Sequence, residues 1–304
     1  MKPAHAHLPC ISKLIASFIL LSALTVAGAA GAETTLRVAS YNIHAGRGAD
    51  ERIDLPRIAG VLRRLNADVI LLQEVDMGTR RSGGVMQAAE LGKLLGMNFY
   101  FAKAMDYGGG EFGNAILSRR PFARVSTLPL DGGAERRSAG IVEIILPARE
   151  NEKTTAPARP DESGARVMIA GTHLDARKRE THPGHVKKIS DEVARLAAAR
   201  PCAAVIWGGD FNATEASPIW DVLTKERGWT LPQKQGASKA ERATVPSGKP
   251  VKEIDWFLYR AGEADGKGGA KAGALSVVEN RVVDERVASD HRPVVFALSF
   301  GGSR

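Results

Sequence analysis

The chain has 304 residues, which is about two average domain lengths but also fits one large α/β domain. Its formal net charge of +8 is compatible with polyanionic substrates without identifying them. There are two cysteines, and Cys10 lies within a predicted leader, so Cys202 alone remains in the mature chain. This excludes an internal disulfide and a metal site built from cysteines.

The first 32 residues have the features of a secretory signal peptide. Lys2 and Lys13 give a basic start, and the apolar run LIASFILLSALTV is short for a membrane span. Small residues at Ala30 and Ala32 then predict cleavage after Ala32, with Glu33 as the mature N-terminus. We therefore expect an exported protein, periplasmic or secreted, without a stable membrane anchor. An uncleaved anchor is the alternative.

Helices and strands alternate through the rest of the chain. The strand LRVASYNIH precedes a helix over DLPRIAGVLRRLNA, where Asp54 is placed to cap the first turn and Pro56 lies within it. The next predicted elements are the strand DVILLQE, the helix VMQAAELGKLLG, the strands FGNAILSRRP, GIVEIIL and RVMIAGTHL, the helix HVKKISDEVARLAAAR, and the strands AAVIWGGD, IDWFLYR and RPVVFAL. Polar segments 147–165 and 261–273 are interpreted as exposed loops. One layered α/β domain over residues 33–304 is expected.

Polar side chains gather at the ends of these strands. Asp210 and Asn212 follow the apolar strand that contains Trp207. The other polar residues in this position are Asn42, Glu74, His173, Asp255, Asp290 and His291. Each one alone has an ordinary explanation as a turn residue or a strand cap. Because sites of α/β proteins form at strand termini, the set as a whole predicts one functional site.

The residue types in this set indicate a class of chemistry. The sequence has no P-loop, no dinucleotide fingerprint and no Gly-x-Ser-x-Gly elbow, which disfavours nucleotide-driven transfer, hydride transfer and serine hydrolysis. Carboxylate and amide oxygens are the ligands that Mg²⁺ or Mn²⁺ prefers. Two histidines can contact phosphoryl oxygens or carry protons near neutral pH. Together these groups point to metal-assisted phosphoester hydrolysis.

Six motifs in order resemble those of the endonuclease/exonuclease/phosphatase superfamily: SYNIH, LLQEVD, GTHLDA, GGDFNAT, EIDWFLYR and SDHRPVVFAL. The resemblance spans about residues 36–299. This group includes secreted deoxyribonucleases, abasic-site endonucleases, neutral sphingomyelinases and inositol polyphosphate 5-phosphatases. The fold it implies is a four-layer sandwich in which two mixed β-sheets pack face to face with helices outside.

The resemblance also implies a metal site. Glu74, from LLQE, is the expected principal ligand of a Mg²⁺ or Mn²⁺ ion, with Asn42 of SYN beside it. Asp290, from SDH, is expected near the same ion.

Five further residues receive catalytic roles from the same resemblance. Asp210 is expected to orient or deprotonate the attacking water, and Asn212 to hold a phosphate oxygen. His291 is expected to stabilise the developing charge or to act as acid or base, with Asp255 fixing its ring. His173 is expected to donate to the phosphate from the other side.

The substrate is less well defined by the sequence. Asn114 of GNAILSR and Arg137 of ERR are expected to contact it. Scattered arginine pairs permit nucleic acid, but there is no dense basic tract and aromatic residues make up only 6% of the chain. A phosphodiesterase or nuclease is the first hypothesis, and a lipid-headgroup or small-molecule phosphoesterase is the second. A non-catalytic binding module on the same fold is a third, and no sequence feature indicates an obligate protein partner.

Overall fold

Eleven strands in the described part of the chain form two mixed β-sheets. The computed structural model describes Met1 and residues 34–147, 164–262 and 275–301. The predicted signal peptide lies almost wholly outside these residues. All of the strands and helices belong to one compact unit, Gly31–Arg304.

The first sheet has six strands in the order β10-β11-β1-β2-β4-β3. They are β1 (Thr34–Asn42), β2 (Val69–Met77), β3 (Asn98–Tyr107), β4 (Gly110–Ser118), β10 (Leu275–Val282) and β11 (Val294–Phe300). Within this sheet β1 and β2 are parallel, and the other pairs are antiparallel.

The second sheet has five strands in the order β5-β6-β7-β8-β9. They are β5 (Arg124–Leu130), β6 (Arg137–Leu146), β7 (Ala165–His173), β8 (Ala204–Asp210) and β9 (Asp255–Ala261). Here β7 and β8 form the parallel pair.

Capping and proline residues mark the first turns of two of the helices. They are α1 (Leu55–Leu65), α2 (Gln87–Leu95), α3 (His182–Ala199), α4 (Ile219–Asp221), which continues as a π-helix over Val222–Glu226, and α5 (Lys239–Arg242). The Asp54 side chain accepts a hydrogen bond from the backbone N–H of Arg57 at 2.8 Å, so the predicted cap of α1 is confirmed. The helix α3 begins three residues earlier than predicted, because a proline fits its first turn.

Three apolar layers hold these elements together. Between the sheets, Leu71 and Ile116 of the first sheet and Ile169 and Ile206 of the second are completely buried in one cluster. Each such side chain contributes about 1.5–3 kcal/mol relative to exposure. The helices α1 and α2 cover the outer face of the first sheet, and α3 covers that of the second. The predicted four-layer sandwich is therefore confirmed.

The strand β8 needs both of its glycines for close packing. A Cβ atom on Gly208 would lie 2.3 Å from the ring of Phe257, and one on Gly209 would lie 2.0 Å from the Thr172 carbonyl oxygen. Gly209 also has φ +146°, which side chains rarely adopt. These contacts allow β8 to carry Asp210 between its two neighbouring strands.

The prediction that the second strand ends at Glu74 is wrong. The strand β2 continues to Met77, and its pairing with β4 shifts register between Leu72 and Val75. Glu74 sits at this bulge with φ +55°. A bulge redirects a side chain without ending the strand, and here the redirected carboxylate is half-buried and lines a cleft.

No helix among the described residues is long and apolar enough to cross a bilayer.

Candidate active site

Three predicted residues share one row across the second sheet. The register places Asp210 of β8 opposite His173 of β7 on one side and opposite Asp255 of β9 on the other. All three residues are at least 97% buried. Strand pairing alone therefore brings together two carboxylates and an imidazole that are far apart in the sequence.

The first sheet contributes Asn42 and Glu74 to the same site. The Asn42 side-chain nitrogen donates to Glu74 Oε1 at 3.0 Å and to Asp210 Oδ2 at 3.2 Å. Asn42 is completely buried, so its amide links the carboxylates of the two sheets directly. The two sheets thus share a polar site at this point.

His291 lies between two carboxylates. Its Nδ1 is 3.0 Å from Asp255 Oδ2, and its Nε2 is 3.7 Å from Asp210 Oδ2. Burial lowers the pKa of this imidazole, but the charges of Asp255 and Asp210 and the hydrogen bond to Asp255 outweigh it and raise the pKa to about 10. His291 is consequently an imidazolium at neutral pH.

Asp255 is itself held in place by a threonine. The hydroxyl of Thr244 donates to Asp255 Oδ2, the same oxygen that faces His291. Asp255 Oδ1 is buried and has no hydrogen-bond partner among the described residues. Thr244 was not among the predicted site residues. It begins the segment TVP, which lies in the turn that leads into the strand of Asp255.

The electrostatics of Asp210 suit proton transfer. Burial and the neighbouring charge of Asp255 raise its pKa to about 7, against the opposing charge of His291 and hydrogen bonds from Asn212 and Asn42. The backbone N–H of Asn212 donates to Asp210 Oδ1 at 2.9 Å. A carboxyl group with a pKa near neutral can both release and accept a proton.

His173 is fixed as a neutral imidazole with one defined tautomer. Burial, together with the charges of Arg137 and His291, lowers its pKa well below 6.5. Its Nδ1 is 3.3 Å from Arg137 Nη1, and because a guanidinium can only donate, Nδ1 is the acceptor. The proton then resides on Nε2, which is 3.4 Å from Asp210 Oδ2.

The loop before β11 is tied to the end of β1. The Ser289 hydroxyl donates to the Asn42 carbonyl oxygen at 2.7 Å, and it also accepts from the backbone N–H of His291 at 3.3 Å. Asp290, between them, is exposed, and its Oδ1 is 3.7 Å from Nδ1 of His44. Ser289 is therefore a positioning residue that the motif SDH contained but that the sequence prediction did not use.

The carboxylates of Glu74 and Asp290 fit a divalent cation. Among the described residues, neither forms an ion pair with lysine or arginine; Glu74 accepts a hydrogen bond from Asn42, and Asp290 lies 3.7 Å from His44. Open carboxylate oxygens beside a neutral amide are a donor set of the kind that binds Mg²⁺ or Mn²⁺. The predicted ligand roles of Asn42, Glu74 and Asp290 remain predictions.

A different trio also brings ligand-type atoms together. Atoms of Asp210, Asp255 and His291 lie within 4.8 Å of one another. Both nitrogens of the His291 ring face carboxylates, and a protonated imidazole has no lone pair for a metal. In this trio the protonated imidazole is itself the cation that faces the two carboxylates.

The remaining predicted residues lie at the margin of this cluster. Asn212 has φ +48°, and its side-chain nitrogen donates to the Leu174 carbonyl oxygen at 3.0 Å. The Asn114 side-chain nitrogen donates to the carbonyl oxygen of Ser138 at 2.8 Å, next to Arg137. Asn114 thus joins β4 to β6, and none of its described hydrogen bonds reaches a predicted catalytic residue. Its role as a substrate contact stays a prediction.

Two mixed sheets packed face to face, with this polar cluster where they meet, define an α/β sandwich of the class that the sequence motifs predicted. The chain belongs to the Endonuclease/Exonuclease/phosphatase family, whose model matches residues 39–291. Membership of this family indicates a phosphoester hydrolase.

Three individual proteins that resemble this chain do so at low sequence identity. The uncharacterized protein YbhP of Escherichia coli strain K12 is 27% identical over 197 residues, which cover 55% of this chain and 78% of that protein. A mannosyl-6-phosphatase of Bacteroides thetaiotaomicron has a similar fold at 15% identity, with a TM-score of 0.64 over 87% of this chain and 100% of the other. TDP2 from Caenorhabditis elegans matches at 21% identity, with a TM-score of 0.60 over 88% and 75% of the two chains.

Proposed function

We propose that the protein hydrolyses phosphoesters by metal-assisted attack of water, with Asp210 accepting a proton from the attacking water. The observation that carries this proposal is the convergence of Asn42, His173 and His291 on one oxygen of Asp210, each within 3.7 Å. A buried carboxylate with a pKa near neutral is suited to general-base catalysis.

His291 supplies positive charge where the phosphoryl group gains negative charge. Asp255 keeps its Nδ1 side occupied, so the Nε2–H is directed toward Asp210 and the reacting group. Fixed donors that are already oriented stabilise developing charge without reorganisation during the reaction. The same proton can later pass to the leaving oxygen.

His173 and Arg137 act from the other side of Asp210. Because the pKa of His173 is lowered, its neutral ring offers the Nε2–H as a hydrogen-bond donor without adding charge. Arg137 is 94% buried and orients that ring through Nδ1. We assign both to holding phosphoryl oxygens.

Glu74, Asn42 and Asp290 would hold the ion, since their oxygens fit a hard divalent cation. When bound, Mg²⁺ or Mn²⁺ would supply Lewis-acid polarisation of a phosphoryl oxygen. The hydrogen bond from the buried Asn42 amide orients the Glu74 carboxylate.

Phosphodiesters, including nucleic acid, are our first substrate hypothesis, because arginines 81, 137 and 177 line the cleft beside Glu74. Small phosphomonoesters are the second. The modest cleft volume of about 250 Å³ favours them, and one protein of similar fold is a mannosyl-6-phosphatase. We further propose that the mature protein works outside the cytoplasm after cleavage at Ala32, without an obligate protein partner.

The function is tested with the purified protein on bis-p-nitrophenyl phosphate, plasmid DNA and sphingomyelin, with Mg²⁺ or Mn²⁺ and with excess chelator. We expect turnover only with metal, and we expect Asp210→Asn to lower kcat by about 10²–10⁴, the range for loss of a general base. Asp221→Asn is the matched control, because Asp221 is 71% exposed and, among the described residues, pairs only with Lys225.

Two results would contradict this function. Equal activity of Asp210→Asn and Asp221→Asn would remove Asp210 from the reaction. Metal binding without turnover of any tested phosphoester would instead support a binding module on the same fold.

A further inference from the structure

A cleft of about 250 Å³ opens beside the proposed phosphate site. Glu74 and Arg137 line the end that adjoins the catalytic cluster. Arg81, Tyr107 and Phe112 form one wall. Pockets for drug-sized ligands measure about 300–1,000 Å³, so this one accommodates a smaller group. Any ester whose phosphorus sits at the catalytic cluster can place one of its organic groups here.

The wall near Arg81 is held in place by an ion pair with a buried carboxylate. Its Nε and Nη2 donate to the two oxygens of Asp76 at 2.8 Å each, and Asp76 is completely buried. The guanidinium lies 4.5 Å from the ring centroid of Tyr107 and 5.4 Å from that of Phe112. The positive charge is balanced by Asp76, while the Arg81 side chain remains 31% exposed.

The arginines that follow β5 and β7 in the lining are balanced in the same way. Glu135 pairs with Arg137 Nη2 at 2.8 Å and with Arg177 Nη2 at 3.6 Å. The Asp175 carboxylate accepts from the backbone N–H groups of Glu135 and Arg177, which fixes the loops that carry both residues. Each arginine that lines the cleft therefore already has a carboxylate partner.

This arrangement favours one of two kinds of occupant. A second phosphate group would have to compete with the carboxylates that already pair with the three arginines of the described lining. What the cleft presents instead is a guanidinium plane together with aromatic rings. Such surfaces stack on planar rings, and nucleobases are the common example.

We propose that this cleft binds a single planar ring of nucleobase size, belonging to a group esterified to the scissile phosphate. Arg81 and Tyr107 are then the residues that determine specificity. This inference rests on the proposed phosphoesterase function and narrows its substrate to nucleotide esters. The nucleotide comes either from a small soluble ester or from the end of a strand.

Two esters with the same leaving group provide the test: thymidine 5′-p-nitrophenyl phosphate, which carries a base, and methyl p-nitrophenyl phosphate, which does not. We expect the wild-type protein to prefer the thymidine ester. In Tyr107→Ala and in Arg81→Lys, which keeps a charge for Asp76, the ratio of the two kcat/KM values should fall about tenfold, as expected for loss of one stacking contact. The matched control is Arg80→Lys, because Arg80 is exposed and does not line the cleft.

A binding measurement separates failure of the cleft from failure of the activity. By calorimetry, thymidine 5′-monophosphate should bind more tightly than ribose 5-phosphate, and Tyr107→Ala should remove the difference. This readout works even if no ester is hydrolysed. Equal binding of the two ligands by the wild-type protein, or an unchanged kcat/KM ratio in folded Tyr107→Ala, would overturn the proposal.

Oligothymidylate identifies the source of the nucleotide. Stepwise shortening of the strand would show that the cleft accepts a strand end, whereas cleavage of the small thymidine ester alone would assign it to soluble nucleotide esters. Random internal cuts at equal rates in base-containing and abasic strands would overturn the proposal.

Discussion

Replacing Asp255 with asparagine removes the charge beside His291 and keeps the shape of the side chain. Asp255 Oδ2 accepts from Thr244 and faces His291 Nδ1, and an amide oxygen in that place can do both. Asp255 Oδ1 has no hydrogen-bond partner among the described residues, so an amide nitrogen there would break no described bond. We therefore expect Asp255→Asn to fold and to bind metal.

The catalytic cost follows from the lost attraction. Two unit charges 3.0 Å apart attract by about 5 kcal/mol at an effective dielectric constant of about 20. If about half of this attraction is felt in the transition state, the rate falls by about 10², since each 1.36 kcal/mol is tenfold. The figure agrees with the usual range for loss of an acid or base group.

The assay is kcat/KM for bis-p-nitrophenyl phosphate at saturating metal, with thermal unfolding measured on the same samples. His291→Ala should lose at least as much activity as Asp255→Asn. The double variant should lose little beyond the worse single variant, because residues that act as one unit are not additive. Fully additive losses, or full activity in folded Asp255→Asn, would refute the assignment of Asp255 and His291 as one catalytic unit.

Three further predictions concern metal, pH and export. Glu74→Gln should weaken Mn²⁺ binding measured by calorimetry, with activity partly restored at high metal concentration; unchanged affinity would remove Glu74 from the ligand set. Because the pKa of His291 is raised to about 10 from 6.5, its stabilising contribution is complete below pH 6.5 and is lost as the pH rises toward 10. The thermal midpoint should therefore fall less over this range in His291→Ala than in the wild-type protein. Mass spectrometry of the exported protein should find Glu33 at its N-terminus, and an intact N-terminus would favour the anchored alternative.

The strands that could be predicted from the sequence are those with continuous apolar runs. For example, β8 is buried at every position, and its pattern is unambiguous. The three strands that were not predicted, β3, β5 and β10, are all edge strands. Most of their positions are exposed or half-buried. Because an edge strand faces solvent and pairs with only one neighbour, its sequence need not contain the continuous apolar run by which a buried strand is predicted. Their pairing is a tertiary effect that the pattern of a single segment does not record.

The candidate site was predictable to the extent that strand ends define it. Asp210 and Asp255 were placed correctly at the ends of their strands, and sheet register does the rest. The wall formed by Arg81 and Tyr107 was not predicted, because Tyr107 ends β3 while Arg81 lies in the turn after β2, and the two meet only in the folded chain. A charged residue in a turn is ordinary in sequence, and only its buried partner reveals a role.

Three residues at the site have a strained backbone conformation that helix and strand propensities do not predict. His44, Glu74 and Asn212 all adopt positive φ, where non-glycine residues usually cost about 1–3 kcal/mol each. All three lie at the site. Glu74 accepts a hydrogen bond from Asn42, the backbone N–H of Asn212 donates to Asp210, and the His44 ring lies 3.7 Å from Asp290. A glycine at position 74 or 212 would relieve this strain, but it would remove the carboxylate or the amide. The site therefore retains the side chains its proposed chemistry needs at the expense of local stability, and the surrounding buried sheets supply the free energy that holds them in place.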